Sequence, residues 1–131
     1  MRLTKQKTRI DEPVDYPDGL MVDTGTNVYY LRGGKRYRVY SPRVLQSWSI
    51  QPVLGTEQSL KQIPKSKAPL GFRDGTLIHN IADGKMYLIS KNRRRHITSP
   101  DVLHRFGWRR RDAITVSDTE ANLHVEGDKI K

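Results

Sequence analysis

The hydrophobic positions of the chain fall into short runs separated by turn residues, and this pattern occurs twice. In the first half, Leu20–Val22 and Val28–Leu31 are apolar or aromatic, and Leu77–Ile78 and Met86–Ile89 repeat the arrangement in the second half. Runs of this length, rich in β-branched and aromatic residues and bounded by glycine and aspartate, are typical of hairpin strands. The pattern therefore predicts a β-rich fold.

Turn and cap signals separate these runs. Gly33-Gly34 in the first half and Lys91-Asn92 in the second lead into a third, basic strand, and Gly-Gly suits a two-residue hairpin turn because glycine accepts positive φ. A Ser-Pro pair then predicts a short helix in each half, since serine caps free amides and proline is tolerated at the first helical position. Ile114–Val116 predicts another strand, and Ser117 with Glu120 has the spacing of a capping box.

The chain thus contains an internal duplication. Four pairs of segments carry it: Asp18–Asp23 with Asp74–His79 at an offset of 56, Tyr30-Leu31 with Tyr87-Leu88 at 57, Ser41-Pro42 with Ser99-Pro100 at 58, and Glu57–Leu60 with Glu120–Leu123 at 63. We interpret it as two tandem copies of a small antiparallel module of three to four strands with short helices, in the fold class α+β, mainly β. The predicted organisation is an extended N-terminal arm, a first repeat module, a linker and a second repeat module, at residues 1–17, 18–60, 61–70 and 71–131.

The arm and the linker lack the core pattern of the modules. Lysine and proline dominate residues 61–70, which predicts an exposed, semi-extended linker. The arm is expected to become ordered only against another surface. Ile10, Val14, Ile63 and Leu70 are isolated apolar residues that would serve as contact anchors in these two segments.

The amino-acid composition predicts a thin hydrophobic core and an anionic partner. Hydrophobic residues make up 35% of the 131 residues, and the net charge is +10. The mean hydropathy is −0.72 and the isoelectric point is about 10.1. A charge of this sign favours nucleic acid, an acidic protein surface or an anionic cell-wall polymer as partner.

The absence of cysteine excludes disulfides and thiolate metal sites. No secretory signal and no apolar run long enough to span a membrane are visible, so a soluble chain is expected.

Arginines supply the candidate partner-binding residues. They are Arg36 and Arg38 in the first copy, and Arg93, Arg94, Arg95, Arg109, Arg110 and Arg111 in the second. On a strand, Arg93 and Arg95 share one face, whereas Arg94 and His96 share the other. Three interpretations stay open: the arginines clamp phosphates, they protect a solvated edge strand from aggregation, or they contact acidic neighbouring subunits.

Patterns of catalytic and metal-binding residues are missing from the sequence. The four histidines lack paired zinc-ligand spacing, and there is no glycine-flanked nucleophilic serine, phosphate loop or matched pair of carboxylates. Asp18, Asp74 and Asp83 precede glycine and are explained as turn residues. Trp48 and Trp108 follow the two helices and are expected to be core anchors. We therefore expect no enzymatic activity, no cofactor and no metal.

Four segments of the second copy form a motif: Asp74–Ile78, Tyr87–Ile89, Arg94–Pro100 and Ile114–Glu120. The motif resembles a short repeat of tailed-bacteriophage structural proteins and of secreted or cell-wall-associated bacterial proteins. The first copy departs from it, because it lacks the glycine before the aromatic region and shortens the Val-Ser-Asp segment to Leu54-Gly55-Thr56.

The resemblance implies a non-enzymatic structural or interaction protein, namely a bacteriophage virion component of the tail or head–tail region. Its expected partners are other virion proteins, with the chain itself a homo-oligomer within the assembly, and its expected location is the virion. The alternative is a basic nucleic-acid-binding protein that uses the arginine clusters.

Overall fold

Nine short strands, three α-helices and two 3-10 helices are found in residues 8–131, which are the residues that the computed structural model describes. The first seven residues of the predicted N-terminal arm lie outside the described residues. The chain forms two compact units. The described residues of the first are 8–39 and 50–70, and the second comprises 40–49 and 71–131.

The first unit contains a four-stranded sheet. Its strands are β1 (Met21–Asp23), β2 (Val28–Arg32), β3 (Lys35–Arg38) and β4 (Val53–Leu54), followed by a 3-10 helix at Gln58–Leu60. The strand order is β3-β2-β1-β4. The pairs β1–β2 and β2–β3 are antiparallel, whereas β1–β4 is parallel.

The second unit contains a five-stranded sheet. Its strands are β5 (Leu77–Asn80), β6 (Met86–Ser90), β7 (Arg93–His96), β8 (Ile114–Val116) and β9 (Val125–Glu126). Its helices are α1 (Pro42–Trp48), α2 (Pro100–Arg105), α3 (Asp118–Ala121) and a 3-10 helix at Arg110–Asp112. The strand order is β8-β5-β6-β7-β9, with β8 and β9 parallel to their neighbours.

The predicted fold class is confirmed, because both sheets are small and the helices are short. The sheets are nevertheless mixed rather than purely antiparallel, and the second has five strands. A long connection separates β3 from β4 and β7 from β8. Such a crossover allows the later strand to join the first strand of its sheet in the parallel direction.

The two hairpin turns are built alike. The φ values are positive at both central residues of each turn: 61° and 74° at Gly33 and Gly34, and 51° and 61° at Lys91 and Asn92. This is the backbone of a two-residue hairpin turn, as the sequence predicts. The Asp18 carboxylate accepts a hydrogen bond from Gly33 N at 2.9 Å, and Asp74 accepts one from Asn92 N at 3.0 Å. Both aspartates therefore have a structural role in fixing these turns.

At the ends of the two copies, the structure pairs different residues from those that the sequence comparison pairs. Thr56 and Ser117 cap equivalent helical turns: Thr56 Oγ1 accepts from Ser59 N at 3.1 Å, and Ser117 Oγ accepts from Glu120 N at 3.2 Å. Glu120 thus occupies the place of Ser59. The alignment of Glu57 with Glu120 is therefore wrong, because it matched two glutamates by residue type and not by their distance from the cap. The alignment of Tyr30 with Tyr87 is wrong as well, since Tyr29 pairs with Val22 in the way that Tyr87 pairs with Ile78.

Residues 61–70, predicted as an exposed linker, run along β3. Arg36 forms a parallel bridge with Lys65, and Val39 forms one with Leu70. In the second unit, β9 and Ile130 occupy the equivalent edge along β7 and the residues that follow it. The segment between the copies therefore pairs with the first sheet in the way that the C-terminal residues pair with the second.

The described part of the N-terminal arm belongs to the first unit. Ile10 N donates to Leu54 O at 3.1 Å, and Ile10 forms a parallel bridge with Gly55 at the outer edge of β4. Tyr16 is buried, and Ile10 and Val14 pack against the same hydrophobic cluster. Ile10 and Val14 are half-buried, so these apolar residues contribute to the cluster of the first unit.

The core of the second unit lies between α2 and one face of its sheet. Its buried residues are Leu77, Met86, Ile97, Val102, Leu103 and Ile130, and Trp108 packs against them. Helix α1 also belongs to this unit, although its sequence lies in the first copy. Trp48 Nε1 donates to Gly71 O at 2.9 Å, and Ser47 Oγ accepts from Arg73 N at 3.2 Å. The compact units and the sequence copies therefore differ at this helix.

The serine caps of α1 and α2 give a matched pair of predictions. Ser41 Oγ and Ser99 Oγ each accept a helix N–H at 3.3 Å, but Ser41 also donates to Glu120 Oε2 at 2.6 Å. We expect Ser99→Ala to lower the free energy of unfolding by about 1 kcal/mol, the usual cost of a lost cap. Ser41→Ala should cost more, by about another 1 kcal/mol, because a buried carboxylate loses a donor. Urea denaturation of both variants measures this; equal effects would contradict the role of the Ser41–Glu120 bond.

Candidate interaction site

Arg36, one of the candidate partner-binding residues, is buried inside the first unit. Its guanidinium carbon lies 5.0 Å from the centre of the Tyr29 ring, and its Nη1 lies 3.4 Å from Glu57 Oε1. Its residue is 9% exposed, and its Nε has no hydrogen-bond partner among the described residues. A cation held over an aromatic face and beside a carboxylate stabilises the fold. Arg36 therefore contributes to the interior and is removed from the candidate surface.

The electrostatics around Arg36 fit this structural role. Tyr29 OH donates to Glu57 Oε1 at 3.0 Å, and Thr24 Oγ1 donates to Glu57 Oε2 at 2.7 Å. Burial opposes ionisation of Glu57, but these hydrogen bonds and the Arg36 charge lower the pKa of its carboxyl. Burial, and then the bond to Glu57, raise the pKa of the Tyr29 hydroxyl. Arg36 and Glu57 thus form an ion pair, and the neutral Tyr29 hydroxyl donates a hydrogen bond to its carboxylate.

Arg94 has the corresponding position in the second unit. Its guanidinium carbon lies 5.6 Å from the centre of the Tyr87 ring, and its Nη1 donates to the carbonyl of His124. Glu126 Oε1 is 3.9 Å from Arg94 Nη2. Tyr87 OH donates to Asp83 at 2.6 Å, and burial followed by this bond raises the pKa of Tyr87 to about 12. Asp83, expected to be only a turn residue, thus also holds a core tyrosine.

The remaining arginines of β7 face the opposite side of the sheet. Ile89 pairs with Arg94 and Leu88 with Arg95, so Arg93 and Arg95 share one face, as strand alternation predicts. Arg95 Nε donates to Asp128 O at 2.8 Å, which ties this side chain to the C-terminal segment. Arg93 is exposed. In the Arg93–Arg95 run, therefore, only Arg93 has its side chain largely in solvent.

The second arginine run lies at the other side of the same sheet. Arg109, Arg110 and Arg111 are exposed and lie a few residues before β8, and Arg109 N donates to Asp112 Oδ2 at 2.8 Å. Strands β5 and β6 lie between β8 and β7. At the usual spacing between strands, this separation is about 14 Å. The structure therefore does not bring the two runs of the second copy together. Arg38 is exposed on β3 of the first unit.

Two buried polar residues outside the predicted set organise the second unit. The first is His124, which is fully buried: its Nε2 accepts from Phe72 N at 2.9 Å, and its Nδ1 lies 3.1 Å from Asn92 O. An accepting Nε2 requires the proton on Nδ1, which then donates to the Asn92 carbonyl. Burial lowers the pKa of the imidazole despite the bond to Asn92. A lone histidine in the sequence gives no signal of this role.

Glu120 is the second buried polar residue that organises this unit, and it is 3% exposed. The predicted capping box is present, since Glu120 Oε1 accepts from Ser117 N at 2.9 Å. Its carboxylate also accepts from Ser41 Oγ at 2.6 Å and from Arg43 Nη1 at 2.8 Å. Burial opposes its ionisation, but the hydrogen bonds from Ser117, Ser41 and Arg43 lower the pKa of the carboxyl. The sequence signals the cap and not the two donors from the first copy.

A shallow polar groove of about 400 Å³ lies in the second unit. Its lining includes Asp74, Asp112, Ser47 and Trp108. The Asp74 and Asp112 carboxylates each accept a backbone N–H, and Ser47 Oγ does the same. These hydrogen bonds belong to turns and loop closure, so the groups have a structural role in the walls of the groove.

Other classes of site find little support in the described chain. In residues 8–131, histidines and carboxylates form no group of three placed to hold a metal ion. Over the same residues, no helix has the length and apolar character needed to cross a membrane. In comparisons with known proteins, the chain matches no protein family, no curated protein and no solved structure.

Proposed function

We propose that the chain is a non-enzymatic structural protein of a bacteriophage virion, in the tail or head–tail region, where it binds neighbouring subunits. The resemblance of the second copy to phage repeats supports this assignment. The motif residues have structural roles that suit a repeat module: Asp74 fixes a hairpin turn, Ser99 caps α2, and Ser117 with Glu120 forms a capping box.

The distribution of arginines is the observation that carries the proposal. Arg36 and Arg94 are used inside the units, and the exposed arginines of the second unit are split between two sides of one sheet. Carboxylates lie among the exposed arginines, for example Asp112 and Asp118 around β8. A nucleic-acid-binding face more often concentrates positive charge without acids. Separate patches of mixed charge favour protein carboxylates over a phosphate backbone or an anionic cell-wall polymer.

Replacing Arg110 and Arg111 together by glutamine tests this proposal. Both side chains are exposed, so the change should leave the fold intact. We expect the variant to be incorporated less into the parent particle, whereas Arg32→Gln, an exposed arginine of the first hairpin, serves as the matched control. Neither protein should be retained on duplex DNA at about 0.15 M salt.

The nucleic-acid alternative predicts a different result. The unmodified protein would then bind DNA or RNA tightly with a steep dependence on salt, and the double variant would reduce the slope by about one unit for each lost phosphate contact. That outcome, together with unchanged incorporation of the variant, would overturn the structural assignment.

A further inference from the structure

Among residues 8–131, the outer edge of β8 is an unfilled strand position. In the first unit, the corresponding edge of β4 is occupied, because Ile10 N donates to Leu54 O and Ile10 bridges Gly55. In the second unit β8 ends the sheet, and no strand pairs with its outer side among residues 8–131. Residues 65–70 do not fill this edge, since Lys65 and Leu70 pair along β3.

Thr115 is the residue whose peptide groups face this edge. In a parallel pair, successive residues direct their N–H and C=O alternately toward the partner strand and away from it. Val116 O accepts from Ile81 N at 3.1 Å, so Val116 is directed toward β5 and Thr115 is directed outward. The neighbouring outward N–H groups are already bonded, at Ala113 to Arg110 O and at Ser117 to Glu120. Thr115 is itself exposed and alone offers both groups to an incoming strand at β8 in the described structure.

An N-terminal segment from another copy would not fit this edge. In the first unit, Arg9 Nη1 lies 3.6 Å from Asp23 Oδ1, and a Cβ atom added at Gly25 would lie 3.6 Å from the guanidinium carbon of Arg9. The register equates Asp23 with His79 and Gly25 with Ile81. The second unit therefore lacks the carboxylate and has an isoleucine, 69% exposed, where the guanidinium would lie.

We propose that β8 pairs with β8 of a second copy of this chain, antiparallel and around a two-fold axis at Thr115. Because each strand has one outward residue, the register is determined. The Thr115 N–H of each copy donates to the Thr115 carbonyl of the other. In this register residues 110–112 of one copy lie opposite residues 118–120 of the other, so the exposed Arg110 and Arg111 lie at the same end of the pair as Asp118 of the other copy. Asp112 also lies at this end, and its carboxylate accepts from Arg109 N. A two-fold contact of one surface with itself closes the dimer and joins the two five-stranded sheets. Such a dimer would form whether the protein belongs to a virion or to another assembly.

A single introduced cysteine tests the register, because the natural chain contains none. Directly opposed residues of a hydrogen-bonded antiparallel pair have Cα atoms about 5.5 Å apart, a separation that a disulfide spans. Under mild oxidation of the full chain, Thr115→Cys should form a disulfide-linked dimer at least about tenfold faster than Thr119→Cys, since the thiols are held together rather than meeting by collision. Thr119 is exposed on α3, and its counterpart in the dimer is far away.

Sedimentation of the unmodified chain and of Thr115→Pro provides the second measurement. The unmodified chain should form a dimer that dissociates on dilution and at high salt, and Thr115→Pro should be monomeric, because proline removes the outward N–H. Circular dichroism establishes that the proline variant is folded; if it is not, the cysteine comparison decides. A chain that is monomeric at all concentrations, or equal cross-linking of both cysteine variants, would overturn the proposal. A chain that stays monomeric could still lose incorporation into particles when Arg110 and Arg111 are replaced. Failure of this proposal is therefore distinguishable from failure of the proposed function.

Discussion

Replacing His124 by alanine should lower the free energy of unfolding by about 3 to 5 kcal/mol, the largest effect that we expect from one substitution. The buried Phe72 N–H would lose its acceptor, and the Asn92 carbonyl would lose its donor. A cavity would also form beside Phe72, whose ring centre is 6.0 Å from that of the imidazole. Urea denaturation measures the loss. His104→Ala, at an exposed position on α2, is the control and should change stability by less than about 0.5 kcal/mol.

The same histidine should make stability depend on pH. In the unfolded chain a histidine takes up a proton near pH 6.5, whereas burial lowers the pKa of His124 in the folded state. The unfolded state then binds more protons below about pH 6.5, so the free energy of unfolding should decrease as the pH falls through this region. His96 adds an effect of the same sign, since burial and then Lys85 and Lys129 lower its pKa.

Denaturation midpoints at pH 7.5, 6.5 and 5.5 check this expectation. His124→Gln should reduce the pH dependence and leave the part due to His96, and His96→Gln should do the reverse. An unchanged pH dependence in His124→Gln would show that the imidazole is not held neutral by its contacts in the folded protein.

Replacing Glu120 by alanine should lower the free energy of unfolding by about 2 to 4 kcal/mol. The carboxylate is buried and accepts from Ser117 N, Ser41 Oγ and Arg43 Nη1. Its loss removes one half of the capping box and the hydrogen bonds from Ser41 and Arg43 that link α1 to α3. Arg43→Ala should cost less, about 1 kcal/mol, because that side chain is 53% exposed and is screened by solvent.

A double-mutant cycle separates the contributions around Glu120. The effects of Ser41→Ala and Glu120→Ala should not add, because both remove the same 2.6 Å hydrogen bond. The lowered pKa of the carboxyl predicts stability that is present above about pH 4.5 and is lost as the pH falls below it. Additive effects in the cycle would mean that the serine and the carboxylate act independently.

Local features were predictable from the sequence. The two-residue turns at Gly33-Gly34 and Lys91-Asn92, the Ser-Pro helix starts and the capping box each depend on residues within about four positions of one another. Alternation along β7 likewise follows from strand geometry. Because the same short signals occur twice, they also determined the fold class.

Only the tertiary structure decided which residues are available for interaction. Arg36 and Arg94 resemble the exposed arginines in sequence, but each packs its guanidinium over a tyrosine ring of the neighbouring strand. Helix α1 is joined to the second unit through Glu120, which lies 79 residues beyond Ser41. The outward direction of Thr115 is set by its register with β5. Sequence pattern specifies backbone conformation over a few residues, whereas burial, ion pairing and open strand edges depend on contacts between distant segments.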